Sequence, residues 1–104
     1  MPTTTIAGQE VEVNEEGFLT RPDQWSEELG AELAALIGVE MDDARWRLVR
    51  FLREDYAAQG ETATLRRVST RTGTPVKELF GLFPGKPAKK MAYVSGLPKP
   101  KGCV

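Results

Sequence analysis

The chain has 104 residues, 40% of them hydrophobic and 28% charged, with a net charge of −1, which suits one folded domain and excludes a disordered segment. It has no histidine and a single cysteine, so Cys/His zinc centres, Ser-His-Asp and Cys-His catalysis and an internal disulfide are excluded. No apolar run exceeds Leu33–Ile37 and no base precedes Arg21, so neither a membrane span nor a secretory leader is expected and the location predicted is cytoplasmic.

Thr3–Ile6 and Glu10–Val13 are β-favouring runs on either side of Ala7-Gly8-Gln9, a pattern that predicts a β-hairpin with Val11 and Val13 facing the core. Asn14–Gly17 reads as a second turn, after which Phe18-Leu19 adds a short third strand or covers the hairpin. A first helix is expected from an N-cap at Asp23 or Ser26, with Trp25, Leu29, Leu33, Leu36 and Ile37 at helical spacing and Gly38 as the stop. A second runs from Asp42 or Asp43 to about Gln59, burying Trp46, Val49, Leu52 and Tyr56 and turning Arg47, Arg50, Arg53 and Glu54 outward or sideways.

Beyond Gly60 the predicted helices are short. One spans Thr62–Arg71 with Leu65 and Val68 inward, and the next starts at Pro75, followed by Val76, Leu79, Phe80 and Phe83. A last helix from Pro87 to about Ser95 is stopped by Gly96, and the prolines of Leu97–Val104 prevent its continuation. The expected architecture is α+β and mainly α. A single domain, 1–104, divides into a hairpin region at 1–20, a helical bundle at 23–95 and a mobile C-terminal arm at 96–104.

The small net charge hides an asymmetry, because residues 1–61 carry −9 and residues 62–104 carry +8. A basic end attracts an acidic protein surface or nucleic acid, and neutralisation between the two halves of the fold accounts for it equally well.

Cys103 is the penultimate residue of a tail rich in proline and glycine, where a thiol is exposed to oxidation and asks for a functional reason. Lys99 and Lys101 favour the thiolate while the Val104 carboxylate opposes it. The eight residues from Leu97 onward reach at most about 26 Å at ~3.3 Å per residue, enough to enter a partner's cleft. One thiol can attack a disulfide or persulfide, or hold an extra sulfur as Cys–S–SH. It cannot resolve a mixed disulfide within its own chain, so a two-cysteine thioredoxin-like cycle is ruled out.

Leu82-Phe83-Pro84, Pro87-Ala88-Lys89 and Gly96-Leu97-Pro98-Lys99-Pro100, with Cys103 next to last, resemble the C-terminal signature of the DsrC/TusE family of sulfur-relay proteins. Gly17-Phe18-Leu19, Gln24–Glu27, Trp46, Val49-Arg50-Phe51, Arg53 and Tyr56 are also similar to that family, so the resemblance spans nearly the whole chain. It implies an orthogonal helical bundle with an N-terminal β-hairpin, and it gives Cys103 the sulfur-carrying role. Two departures stand out. The position eleven residues before the penultimate one, where DsrC partners of dissimilatory sulfite reductase carry a second cysteine, is Ala92, and the segment between Tyr56 and Leu82 is shorter than in typical members. Ala92 directs the resemblance to the TusE type, which implies persulfide sulfur received from a relay complex and passed to a tRNA 2-thiouridylase. No cofactor or metal is expected.

Gly96, Leu97, Pro98, Lys99, Pro100 and Lys101 form the expected tail and docking motif, and Lys86, Lys89, Lys90 and Arg66 are candidates for docking or anion binding. Each lysine alone also reads as a solvated side chain. Arg66, Arg67, Arg71 and Lys77 flank Thr72–Pro75 in a helix-turn-helix pattern over 62–83, which makes a DNA-binding regulator the alternative from another class. The second helix of that pair offers one lysine, one glutamate and four large apolar residues, few groups with which to read bases. Trp25 and Trp46 read as core anchors, and the paired acids as turn and helix-start residues.

Overall fold

The computed structural model describes residues 3–6 and 8–100. Strands β1 (Thr3–Ile6) and β2 (Gln9–Glu12) pair antiparallel, with Thr4 opposite Val11 and Ile6 opposite Gln9. This register buries Ile6, Val11 and Val13 together with Leu19 on Leu29 and Leu33, the one-face burial that alternation predicts. The expected third strand is a single bridge, Val13 to Leu19. Asn14 Oδ1 accepts from the amides of Glu16 and Phe18, closing the turn, and Pro22, lacking an N–H, ends any ladder soon after.

Helix α1 (Glu27–Leu36) starts at Ser26, whose hydroxyl accepts from the Leu29 amide, while Asp23 lies in the 3₁₀ turn Pro22–Gln24. Its buried arc is Leu29, Gly30, Leu33 and Ala34, whereas Leu36, part of the apolar spacing read from the sequence, is 63% exposed. The small residues explain the rotation. A Cβ on Gly30 would lie 2.8 Å from Trp25 Cζ2, so the helix presents its least bulky face where the backbone approaches the indole.

Helix α2 (Asp43–Gln59) is capped by the Asp42 carboxylate and ends at Gly60, which adopts a φ of 78°. Val49 and Leu52 are buried as expected, but Leu48 and Asp55 complete the inner face and Trp46 and Tyr56 sit half-buried at its margin. Asp55 is accommodated because its two oxygens accept from Arg67 Nε at 2.9 Å and Nη2 at 2.7 Å. Helix α3 (Leu65–Thr72) begins later than expected. Thr64 caps it, and Thr62 and Ala63 are buried ahead of it.

Helix α4 (Val76–Leu82) buries Leu79, and Phe83 follows it into the core, but Val76 and Phe80 are 39% and 47% exposed. Two turns of helix can turn only one edge inward, and Leu79 and Phe83 occupy that edge. Helix α5 (Pro87–Val94) sends Met91 and Val94 into the main core with Leu48, Val49, Leu52, Val68, Leu79 and Phe83, and Ala92 is buried as well. Among the described residues the result is five α-helices behind an N-terminal hairpin, the α+β, mainly helical class expected. No helix among the described residues is long and apolar enough to cross a membrane.

The rotation of α1 is open to a paired test. Leu36→Ala should leave stability within about 0.5 kcal/mol of wild type. Gly30→Ala should destabilise despite its better helix propensity, by about 1–3 kcal/mol, because the indole must move. Urea unfolding followed by circular dichroism measures both.

Candidate functional site

The site is built around the chain that leaves α5. Ser95 N–H donates to Met91 O, Gly96 N–H to Tyr93 O at 3.2 Å, and Leu97 N–H to Ala92 O at 3.1 Å, which closes the helix through a left-handed Gly96 with φ 68°. Above this turn lies Trp25, whose indole N–H donates to Val94 O at 2.8 Å. A Cβ on residue 96 would meet Trp25 Cδ1 at 2.4 Å, so both the dihedral and the contact require glycine.

Arg53 completes the clamp. Its guanidinium lies 4.3 Å from the Trp25 ring centroid, and it donates from Nη1 to Ser95 O at 2.8 Å and from Nη2 to Pro22 O at 3.0 Å. Of the outward or sideways placement expected for Arg53 the structure shows the sideways one, half-buried on the flank of α2, where three acceptors, two carbonyls and a ring face, hold it. Burial lowers its pKa. Ser95 Oγ, buried beside the clamp, has no hydrogen-bond partner among the described residues.

The tail residues Gly96–Pro100, expected as the start of a mobile arm, are held against the body. Leu97 is 1% exposed, Thr62 Oγ1 donates to Pro98 O at 2.7 Å, and Pro100 is buried. Leu97 joins the main hydrophobic cluster, so the apolar gain and the Arg53 bonds offset the entropy of ordering this stretch. Lys101 and Cys103 lie outside the described residues. Lys99, exposed, reaches back to Glu16, its Nζ 3.6 Å from Oε2, and Lys89 Nζ shares the same oxygen at 3.4 Å.

Those two lysines hold the Glu16 carboxyl below the usual carboxylate range, hydrogen bonding from Lys89 first and the Lys99 charge next. Glu16 also stands at the edge of a cleft of about 480 Å³ between the turn after β2, the end of α1 and the start of α5. Phe18, Ile37 and Tyr93 give it apolar walls, and Gly85, Lys86, Lys89 and Lys90 form its basic side. Phe18 and Tyr93 meet edge to face at 5.7 Å, and burial raises the Tyr93 pKa. Lys90 Nζ donates to Pro84 O.

The structure therefore brings Lys86, Lys89 and Lys90 together and joins Lys99 to them through Glu16, but leaves Arg66 apart, exposed on α3. The expected helix pair over 62–83 is α3 and α4, and the exposed side of α4 carries Val76, Lys77, Glu78 and Phe80. That is a surface poor in cations for phosphate contact. Sequence reasoning missed Arg53 as a clamp and took Trp25 for a core anchor alone. The signal available was a half-apolar helix carrying an arginine between Leu52 and Asp55, one position from the buried stripe.

The family described as DsrC like protein matches residues 5–104. The sulfurtransferase TusE of Salmonella typhimurium is 35% identical over 104 residues, covering 93% of this chain and 95% of its own. The dissimilatory-type sulfite reductase subunit gamma of Nitratidesulfovibrio vulgaris is 35% identical over 105 residues, covering 100% of both chains. Among solved structures, Allochromatium vinosum DsrC superposes with a TM-score of 0.87 at 31% identity, covering 98% of this chain and 97% of that one. The oxidized gamma subunit from Archaeoglobus fulgidus gives 0.82 at 29% identity, covering 99% and 100%.

Two measurements probe the clamp and the lysine pair. Gly96→Ala should cost about 2–4 kcal/mol in urea unfolding, from the left-handed backbone and the overlap with Trp25 together. In an NMR pH titration Glu16 should ionise below a normal glutamate and return toward it in Lys89→Met/Lys99→Met. A lowered folded-state pKa contributes stability above the unfolded value, and that contribution is lost as pH falls through the lowered one.

Proposed function

The chain belongs to the DsrC-like family, and from that premise we propose that it is a sulfur carrier that holds sulfane sulfur as a persulfide on Cys103. The observation that supports this reading most is the lone thiol next to the carboxyl end, following a Gly96–Pro100 stretch whose root is clamped by Arg53 and Trp25. The Cys103 thiolate attacks the terminal sulfur of a donor persulfide. A new S–S bond forms on Cys103, the donor's S–S bond breaks, and the donor leaves as a thiolate. An acceptor thiolate repeats the step on the terminal sulfur of Cys103–S–SH. The transferred atom keeps its oxidation state, so no external oxidant or reductant enters.

The protein contributes position. A fixed root and a reactive end a few residues beyond it confine the sulfur to a small volume around the body, which raises its effective concentration at a docked partner. The finer reading is a TusE-type relay protein acting with upstream persulfide donors and a downstream tRNA 2-thiouridylase in the cytoplasm. Ala92 supports it, since a second cysteine at that position would permit an internal disulfide and this chain cannot form one. The second reading, a single-cysteine partner of sulfite reductase or heterodisulfide reductase enzymes, is favoured by the likeness to the N. vulgaris gamma subunit over both complete chains.

Incubation with a cysteine desulfurase and cysteine, followed by intact-mass measurement, should add one sulfur, about 32 Da, to the wild type and nothing to Cys103→Ser. A wild type that never gains this mass from a competent donor would overturn the carrier reading.

A further inference from the structure

We propose that the cleft beside α5 is the docking site for an acidic segment of a protein partner that inserts one large apolar side chain between Phe18, Ile37 and Tyr93. The inference rests on the sulfur-carrier reading for the partner's purpose, but its chemistry is carried by the cleft itself. The volume of about 480 Å³ is within the range of about 300–1,000 Å³ in which pockets hold a ligand group away from water. Its walls are apolar and aromatic, and its rim is cationic.

Three features make the rim select carboxylates. The first turn of α5 contains no acidic residue, Pro87 opens it, and no side chain caps it, so the positive end of the helix dipole has no anion of its own. Lys86, exposed, forms no ion pair among the described residues. Glu16, the one acid among the described residues at the rim, is already engaged by Lys89 and Lys99, and it shows that a carboxylate settles at this edge. Lysines alone, screened by salt, would hold an acidic segment weakly, and the apolar walls supply the anchor that exposed ion pairs lack.

The location suits sulfur exchange. Glu16 Oε2 joins the cleft to Lys99, and Cys103 follows four residues later, a covalent reach of no more than about 14 Å. A partner seated in the cleft is thereby held at the foot of the segment that bears the thiol. A peptide suits this lining better than nucleic acid does, because it sets carboxylates beside an apolar side chain that fills the walls, whereas a nucleic acid presents an uninterrupted row of phosphates to a rim of few lysines.

The test uses the full ¹⁵N-labelled chain and two synthetic peptides, acetyl-Glu-Asp-Leu-Phe-Asp-Glu-amide and the same peptide with lysine at every acidic position. The acidic peptide should give saturable amide shifts centred on Phe18, Lys86, Lys89 and Tyr93, and the basic peptide none. Lys86→Glu/Lys90→Glu should weaken binding about tenfold or more, and raising salt from 0.1 to 1 M should weaken it in the wild type. Lys86→Glu alone, at an exposed side chain without a partner, should show a smaller loss with an unchanged spectrum elsewhere, which separates docking from misfolding. No saturable shift at the cleft, or equal binding of both peptides, would overturn the proposal. Cys103→Ser should bind the acidic peptide as the wild type does, and Lys86→Glu/Lys90→Glu should still take up sulfur from a small inorganic polysulfide. A chain that binds the peptide but never loads sulfur loses the carrier reading alone, and one that loads sulfur but never binds loses only the docking site.

Discussion

A guanidinium partly withdrawn from water must find acceptors, and Arg53 does so by holding two stretches of backbone that are distant in sequence. One of its nitrogens bonds the carbonyl of Ser95 and the other that of Pro22, while the plane rests over Trp25. The chain after α5 is thus tied to the chain before α1 through the middle of α2. Lysine could not replace it, having a point charge where a planar fork spans two carbonyls and a ring. The Trp25 bond to Val94 O and the close approach of Gly96 to the indole lie on the same ring that this cation covers.

From the clamp the rest of the tail follows. Once Ser95 and Gly96 are fixed, Leu97 falls into the core cluster and Pro98 O meets the Thr62 hydroxyl. Thr62 and Ala63 are buried by the same packing, which is why α3 begins only at Leu65 instead of using Thr62 as its start. The hairpin side contributes through Glu16, whose carboxylate ties the turn after β2 to α5 and to Lys99. Body and tail root are one packed unit as far as Pro100.

Much of this was legible beforehand because local chemistry agrees with the fold. Ser26, Asp42, Gly60 and the prolines at 75 and 87 announce the helix ends with little help from tertiary contacts. Faces were harder. In α1 the buried arc turns toward Gly30 and Ala34, residues that carry almost no hydrophobic signal, and in α4 the apolar residues outnumber the buried positions available. For the site, a specific terminal motif pointed to Cys103, but the Arg53 clamp depends on acceptors at Pro22 and Ser95 that no sequence window contains together. The lysines of α5 were visible as a charge cluster, whereas their apolar companions Phe18 and Ile37 come from other elements.

The sharing of a single Glu16 oxygen by Lys89 and Lys99 has a consequence for electrostatics at this corner of the molecule. Whatever protonates or displaces that one oxygen leaves two ammonium groups uncompensated in a single event. The local charge of the trio then rises from +1 to +2, and an arriving anion meets both cations at once. The corner behaves as a charge doublet gated by one atom.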